Sequence, residues 1–296
     1  MGCEGFKKPT DLTPAGKCPD HPQLEIQELK EKNYFFKLSR YQEVLTALYE
    51  GRDFEINGVH YAGNSEFVSP TNRFAEVIEF TRSGLEDFSI SRETNKFGIP
   101  LPFDPEQVTY VWYDALFNYV SILGTEADSV WAISSSEQGT QDPASVVHVV
   151  GKDIIRFHAI FWPAMLMSAG YKLPREIITT GFFTIDGQKI SKSLGNVIDP
   201  VELSAKYADG RDLMLNYLLS AFPIGQDGDF SEKEAVLAFN HRLANTVGNL
   251  LNRFLVLGLG SKVGGVIAAP QESVLSVQRA DFVASYQEAM QMRDLR

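Results

Sequence analysis

The segment of this chain best equipped for chemistry is Lys189-Ile190-Ser191-Lys192-Ser193-Leu194-Gly195-Asn196. Two lysines flank a small hydroxyl residue, and a second hydroxyl follows. An ammonium group serves phosphate as a point charge. Lys189 and Lys192 on one loop can set two such charges along a phosphate chain. Charge placed where it develops is a main source of catalysis in phosphoryl and nucleotidyl transfer. Gly195 and Asn196 tolerate unusual backbone angles, so the loop can turn and move. Read without context, the same pattern is a solvated basic surface loop.

Three other constellations carry reactive groups. In Gly151-Lys152-Asp153 a carboxylate sits beside a glycine turn, which suits ribose hydroxyls because they are donors. The same Asp153 also reads as a plain helix N-cap. Ile154, His158 and Trp162 follow i, i+4, i+8 spacing and share one helix face. Taken alone, such an aromatic stripe is core and its histidine structural. Cys18-Pro19-Asp20-His21 has the spacing of half a zinc knuckle, and Cys3 could add a third ligand, whereas a structural zinc asks for four. The other reading is two unrelated thiols. His60, His148 and His241 carry no motif and read as structural or surface residues.

The elements that must position these groups come from a chain of 296 residues, 44% hydrophobic and 22% charged, with net charge −11. That composition suits a folded chain of one or two domains. No apolar run of about 18 residues occurs, so no transmembrane helix is expected. The start, Met1 to Lys8, lacks the apolar stretch of a signal peptide, which leaves the cytoplasm as the default location. The acidic total argues against coating DNA. Residues 1–230 carry −12 and residues 231–296 carry +1, so the C-terminal part is the less repulsive to an RNA. Two cysteines do not make a disulfide framework in such a chain.

Residues 1–24 read as a loop or knuckle. A helix opens at Ser39, with Gln42 completing a capping box, apolar positions at Tyr41, Val44, Leu45 and Leu48, and Gly51 as the stop. A second starts near Ser69-Pro70, with Phe74, Val77 and Ile78 on one face and Gly84 after it. From about residue 107 the pattern is β-α-β. Val108–Trp112 reads as a buried strand followed by a helix to about Gly124. Val146–Val150 reads as the next strand, with a helix to about Ala169 kinked at Pro163. Ile177–Thr180 is the third. Alternation of this kind implies an α/β fold with a parallel sheet, whose ligands lie beyond the carboxyl ends of the strands. Asp186-Gly187 between apolar runs predicts a hairpin. Residues 200–220 look helical. Ser231 with Glu234 opens a long helix with Phe239, Leu243, Val247, Leu250 and Leu251 at apolar positions. Another helical pattern fills 272–296 and reaches Arg296 without a stop signal. Three strands are few for a doubly wound sheet, so a further half-sheet and further helices are expected outside this chain.

The lysine segment closely resembles the KMSKS signature loop of class I aminoacyl-tRNA synthetases, with Ile190 in place of Met. Other segments narrow the resemblance to the methionyl-tRNA synthetase family. They are Val111-Trp112-Tyr113-Asp114-Ala115-Leu116-Phe117-Asn118-Tyr119, Gly151 to His158 with Phe161-Trp162-Pro163, Cys3 with Cys18 and His21, and Leu243-Ala244-Asn245 with Gly248-Asn249-Leu250 and Arg253. Several separated motifs in the right order cover essentially the whole chain.

The resemblance implies adenylation of L-methionine by ATP with Mg2+, release of pyrophosphate, and transfer of the methionyl group to tRNA(Met). It assigns Lys189, Ser191, Lys192 and Ser193 to the ATP phosphates, with Lys189 and Lys192 catalytic and Lys192 foremost at the transition state. Gly151 and Asp153 would hold the adenosine ribose. Ile154, His158 and Trp162 would line the methionine side chain, with Trp112, Ala115, Leu116 and Tyr119 opposite. A thioether favours aromatic edges by roughly 0.3–1.5 kcal/mol per contact. The Tyr119 hydroxyl and His158 could donate hydrogen bonds to its weakly accepting sulfur. Cys3, Cys18 and His21 would be an incomplete site for a structural Zn2+, its first ligand missing.

In domain terms, the resemblance makes 1–24 a partial zinc knuckle and 25–106 the rest of a connective insert. Residues 107–182 become the second half of a Rossmann-type catalytic domain, 183–230 the KMSKS loop and stem-contact region, and 231–296 a truncated α-helical anticodon-binding domain. The family's His-x-Gly-His signature has no counterpart, because the five histidines are 21, 60, 148, 158 and 241. The acidic anchor for the methionine ammonium and the anticodon-reading tryptophan are likewise missing. The chain alone is therefore expected to be inactive and to act only once completed, a separate N-terminal half being one way to complete it, with no membrane or DNA partner. The alternative is a non-catalytic tRNA- or nucleotide-binding remnant, or a subunit of a split synthetase. A ligase for another aliphatic amino acid is a third reading, against which Trp112, Tyr119, His158 and Trp162 argue.

Overall fold

A computed structural model describes residues 12–18, 25–26, 31–94, 97–133, 139–190, 195–260 and 274–291. The chain divides into two compact units, Met1–Leu38 with Glu86–Ile122, and Ser39–Leu85 with Leu123–Arg296.

The first unit is antiparallel. Phe35–Phe36 pairs with Phe88–Ser89, and Asp104–Thr109 runs between Ser91–Arg92 and Pro100–Leu101. The expected strand Val108–Trp112 is therefore corrected twice. It ends at Thr109, and it does not belong to the parallel sheet. Tyr110 is extended, and its carbonyl accepts from Tyr113 N at 2.9 Å and Asp114 N at 3.1 Å, which starts the helix Val111–Ser121. The Tyr110 ring lies under the Arg92 guanidinium at 3.9 Å. A short apolar run such as Val-Thr-Tyr-Val-Trp does not distinguish strand from first helical turn, and here the good helix formers after it decide.

The second unit holds the parallel sheet, in the order Val68–Ser69, Pro174–Thr180, Ala144–Gly151. Its third member is Val68–Ser69, from the stretch expected to be insert. Ile177 on the central strand is wholly buried, and so are Leu45, Ile160, Leu166 and Met167 elsewhere in this unit. Thr71–Arg82 is the expected second helix, with Phe74 and Val77 buried. The first helix begins later than expected. Leu38–Tyr41 is a 3-10 turn and Gln42–Tyr49 the α-helix, and no side chain caps it. The Gln42 side chain reaches the second helix. Its amide donates to the Thr81 carbonyl at 2.5 Å and accepts from Leu85 N at 2.7 Å, tying the two helices together.

Between the two long strands the chain does not form one kinked helix. Lys152–Ile154 is a 3-10 turn, Phe157–Phe161 a π-helical turn, and Trp162–Ala169 an α-helix with Pro163 near its start. Proline lacks the N–H that Ala159 O would otherwise receive in an α-helix. The buried Tyr49 hydroxyl takes that place, donating to Ala159 O at 2.6 Å, and burial raises its phenol pKa well above the ordinary value. Tyr49→Phe leaves the carbonyl buried and unpaired. It is expected to lower unfolding stability by about 1–3 kcal/mol. Urea titration checks this, and an unchanged midpoint would remove Tyr49 from this role.

The Asp-Gly hairpin is present. Phe183–Ile185 pairs with Gln188–Lys189, with positive φ at Asp186 (52°) and Gly187 (70°) as a two-residue turn demands. Phe183 and Ile185 pack on a helical cluster of Leu203, Leu213, Met214, Tyr217, Phe230 and Ala235. The helices Pro200–Ala205 and Gly210–Ser220 frame it. Ser231 accepts from Glu234 N at 3.3 Å, as the capping pattern predicts. The long helix that follows runs from Glu232 to Gly260 with a π stretch, Asn240–Gly248, inside it. Its Leu243, Val247, Leu250 and Leu251 are exposed. No helix among the described residues is long and apolar enough to cross a membrane.

Candidate functional site

In the second unit, the carboxyl ends of the parallel strands converge at one edge. Gly151 lies beside Thr180 in register, and Ser69 beside Ile178. This is where an open α/β sheet receives its ligand. Gly151 presents bare backbone there. A Cβ at this position would lie 2.7 Å from Asp153 Oδ1 and 3.5 Å from the Phe182 ring. Asp153 itself is exposed in the first turn after the strand and caps no backbone N–H, which removes the N-cap reading. Its carboxylate remains open to a donor such as a ribose hydroxyl.

The floor of this edge is fixed by residues that the sequence reading passed over. Lys152 Nζ meets Asp227 Oδ2 at 2.5 Å and lies 4.9 Å from the centre of the Phe182 ring. The other Asp227 oxygen accepts from Phe182 N at 2.9 Å. The Lys152 ammonium, above all, holds the Asp227 carboxyl below the usual carboxylate range. Asp229 accepts from Thr184 Oγ1 at 2.7 Å and from Gly187 N at 2.8 Å, and the threonine hydroxyl is the first reason its pKa is depressed. Asp229 thereby clamps the turn of the hairpin whose second strand ends at Lys189. The hairpin also pairs in parallel with Gly228–Asp229. A signal for these carboxylates was visible in Gly225-Gln226-Asp227-Gly228-Asp229, a turn-rich stretch with two acids on alternate residues. The side chain of Lys189, and Ser191, Lys192 and Ser193 entirely, lie outside the described residues.

Of the expected amino-acid wall, the second unit brings His158 and Trp162 together. Ile154 is half-buried, His158 is 2% exposed and Trp162 wholly covered. The 3-10 and π turns replace the regular helix that their spacing implied. His148 joins them in the core, in keeping with its reading as a structural residue. The Trp162 indole Nε1 donates to His148 Nε2 at 3.1 Å, and the His148 and His158 rings lie 5.6 Å apart. His158 Nδ1 contacts Ile154 O at 3.0 Å. A carbonyl only accepts, so that nitrogen carries the proton. Burial lowers the His158 pKa, which favours the neutral ring. Trp112, Ala115, Leu116 and Tyr119 share one face of Val111–Ser121 in the other unit, with Leu116 buried and Trp112 and Tyr119 half-buried.

Burial lowers His148 to a pKa of about 4 from an ordinary 6.5, with the neighbouring His158 adding to the effect. Between those values the unfolded chain binds the extra proton, so stability rises with pH. The expected result is a denaturation midpoint that falls as pH drops from 6.5 to about 4, and falls less steeply in His148→Gln. Equal slopes in the two proteins would count against it.

Of the expected zinc ligands only Cys18 is described. It is buried behind a turn in which Gly16 N donates to Thr13 O at 2.8 Å. Cys3 and His21 lie outside the described residues, and among those described no group of three or more His, Cys, Asp or Glu side chains could hold a metal. The described donors do not make up a zinc site.

The sequence model of class I (M) tRNA synthetases matches residues 8–255. A methionine–tRNA ligase of Thermosynechococcus vestitus is 46% identical over 253 residues, which are 86% of this chain and 45% of that protein. One from Synechocystis is 40% identical over 99% of this chain and 54% of its own length. Among solved structures, methionyl-tRNA synthetase of Mycobacterium tuberculosis bound by methionyl-adenylate superposes with a TM-score of 0.71 at 35% identity. That match covers 90% of this chain and 49% of the other. The chain spans about half the length of the curated relatives it matches.

Proposed function

This chain belongs to the methionyl class I tRNA synthetases, and from that premise we propose that it supplies the nucleotide-binding edge and one methionine-binding wall of a methionine–tRNA ligase. The observation that carries this reading is the sheet edge itself. There Gly151, Asp153 and Phe182 adjoin the clamped base of the Lys189 hairpin. Asp153 accepts from the ribose hydroxyls of ATP, which enters as its Mg2+ complex. Lys189, Ser191, Lys192 and Ser193 meet the phosphates. The methionine carboxylate attacks the α-phosphorus, the bond to the β-phosphate oxygen breaks, and pyrophosphate leaves with the lysines neutralising its growing charge. The terminal ribose hydroxyl of tRNA(Met) then attacks the carbonyl carbon and AMP departs. His158 and Trp162, with Ile154, are assigned to the methionine side chain, and the resemblance assigns Trp112, Ala115, Leu116 and Tyr119 to it as well. A partial zinc knuckle at Cys3, Cys18 and His21, a helical anticodon-binding domain from residue 231 and a cytoplasmic location complete the proposal.

The test is ATP–pyrophosphate exchange by this chain, alone and joined by the N-terminal half of a relative. Exchange that depends on methionine, in either case, supports the ligase. Binding of ATP or tRNA without exchange in both cases establishes instead a binding module without catalysis. A larger signal with leucine or valine than with methionine would reassign the substrate.

A further inference from the structure

We propose that His148 is a positioning residue for the methionine-facing wall, an inference that rests on the function assigned above to His158 and Trp162. His148 lies on the strand Ala144–Gly151, three residues before the glycine of the nucleotide edge, and is 4% exposed. Its Nε2 receives the Trp162 indole N–H at 3.1 Å. An indole N–H only donates, so His148 Nε2 must be unprotonated and the proton must reside on Nδ1. The contact therefore fixes the tautomer of His148 as well as the rotation of Trp162.

The same imidazole faces three aromatic neighbours. It stacks on Trp131 at 6.4 Å, meets Trp162 edge-on at 6.5 Å and lies 5.6 Å from His158. Trp131 closes the cluster against Trp162 at 5.8 Å. Helical geometry alone does not set this wall, because residues 157–161 form a π turn and Trp162 opens the next helix. The hydrogen bond to the strand supplies the missing constraint. Swinging the indole away would leave a buried N–H unpaired, which is costly. His148 thus ties the amino-acid wall to the strand that also ends at Gly151.

The experiment compares His148→Leu, which removes the acceptor, with His148→Gln, whose amide carbonyl can replace it. The chain has three tryptophans. With 15N-labelled tryptophan their indole N–H signals are separable, and Trp162→Phe assigns the relevant one. In His148→Leu the Trp162 signal is expected to move and its hydrogen exchange to quicken about tenfold, and His148→Gln should restore both. An unmoved signal overturns the proposal whether or not the chain turns over. In exchange assays His148→Leu is expected to raise the methionine KM about tenfold with kcat within about threefold, again with rescue by Gln. A raised KM in His158→Ala and Trp162→Phe but not in His148→Leu overturns this inference and leaves the wall standing. No change in any of the three removes the wall and the inference with it. Should His148→Leu not fold, the double variant with Trp162→Phe removes both partners, and a KM above that of Trp162→Phe alone overturns the coupling.

Discussion

Lys192→Ala is expected to slow methionine-dependent ATP–pyrophosphate exchange by about 10²-fold or more while leaving the methionine KM within about twofold. The reason is charge. The phosphates are already highly charged in the ground state, but the leaving pyrophosphate gains negative charge as the bond breaks. A cation placed on that oxygen stabilises the transition state more than the bound substrate. The hairpin that leads into Lys192 is held for this purpose at both ends. Asp229 clamps its turn through Thr184 Oγ1 and Gly187 N, and Phe183 and Ile185 seat it on the helical cluster. Asp227 is engaged by Lys152 at the adjoining strand end. Lys192→Arg keeps the charge but replaces a compact ammonium by a planar fork, so a partial loss is expected. The assay is exchange in whichever preparation of the chain turns over. A wild-type rate in Lys192→Ala would sink the role given to this loop.

How far the sequence foretold this site depends on the range over which each signal acts. Short-range signals were reliable. Asp186-Gly187 specifies its turn through local backbone sterics, and Ser231 with Glu234 specifies a helix start. The strands ending at Gly151 and Thr180 are apolar runs closed by turn residues. Failures came where tertiary contacts outcompeted local preference. Gln42 bonds to Thr81 and Leu85, residues about forty positions away, which its local pattern does not declare. Val108–Trp112 was divided between a strand of one unit and the helix that follows it. Val68–Ser69 is too short to register as a strand, and only pairing with Ile177 and Ile178 makes it one. Within the site, the motif residues were legible because side-chain type declares their chemistry. Their supports were fainter, Asp227 and Asp229 showing only as two acids in a turn-rich stretch and His148 as a lone histidine, because all three act through partners that only the fold brings near.

The second large effect concerns backbone, where no side chain is lost. Gly181→Ala is expected to destabilise the chain by about 1–3 kcal/mol and to abolish nucleotide binding at the sheet edge. Gly181 follows the central strand directly, and an added Cβ would collide with the Gln226 carbonyl and Asp227 N. Both obstacles are main chain, so neither can rotate aside as a lysine tip would. Relief requires the strand end and the 226–228 segment to part. Parting them removes the bond from Phe182 N to Asp227 at 2.9 Å and that from Gly228 N to Phe182 O at 3.0 Å. Those bonds set the start of Phe183–Ile185, and with them the direction in which the lysine hairpin leaves the sheet. A single methyl group should therefore displace phosphate-binding residues several positions away, without touching Gly151 or Asp153. Urea unfolding measures the stability, and limited proteolysis across 186–196 reports the hairpin. A wild-type midpoint together with wild-type ATP affinity would show that the edge can open without cost, and the hairpin would then need another anchor than the one described.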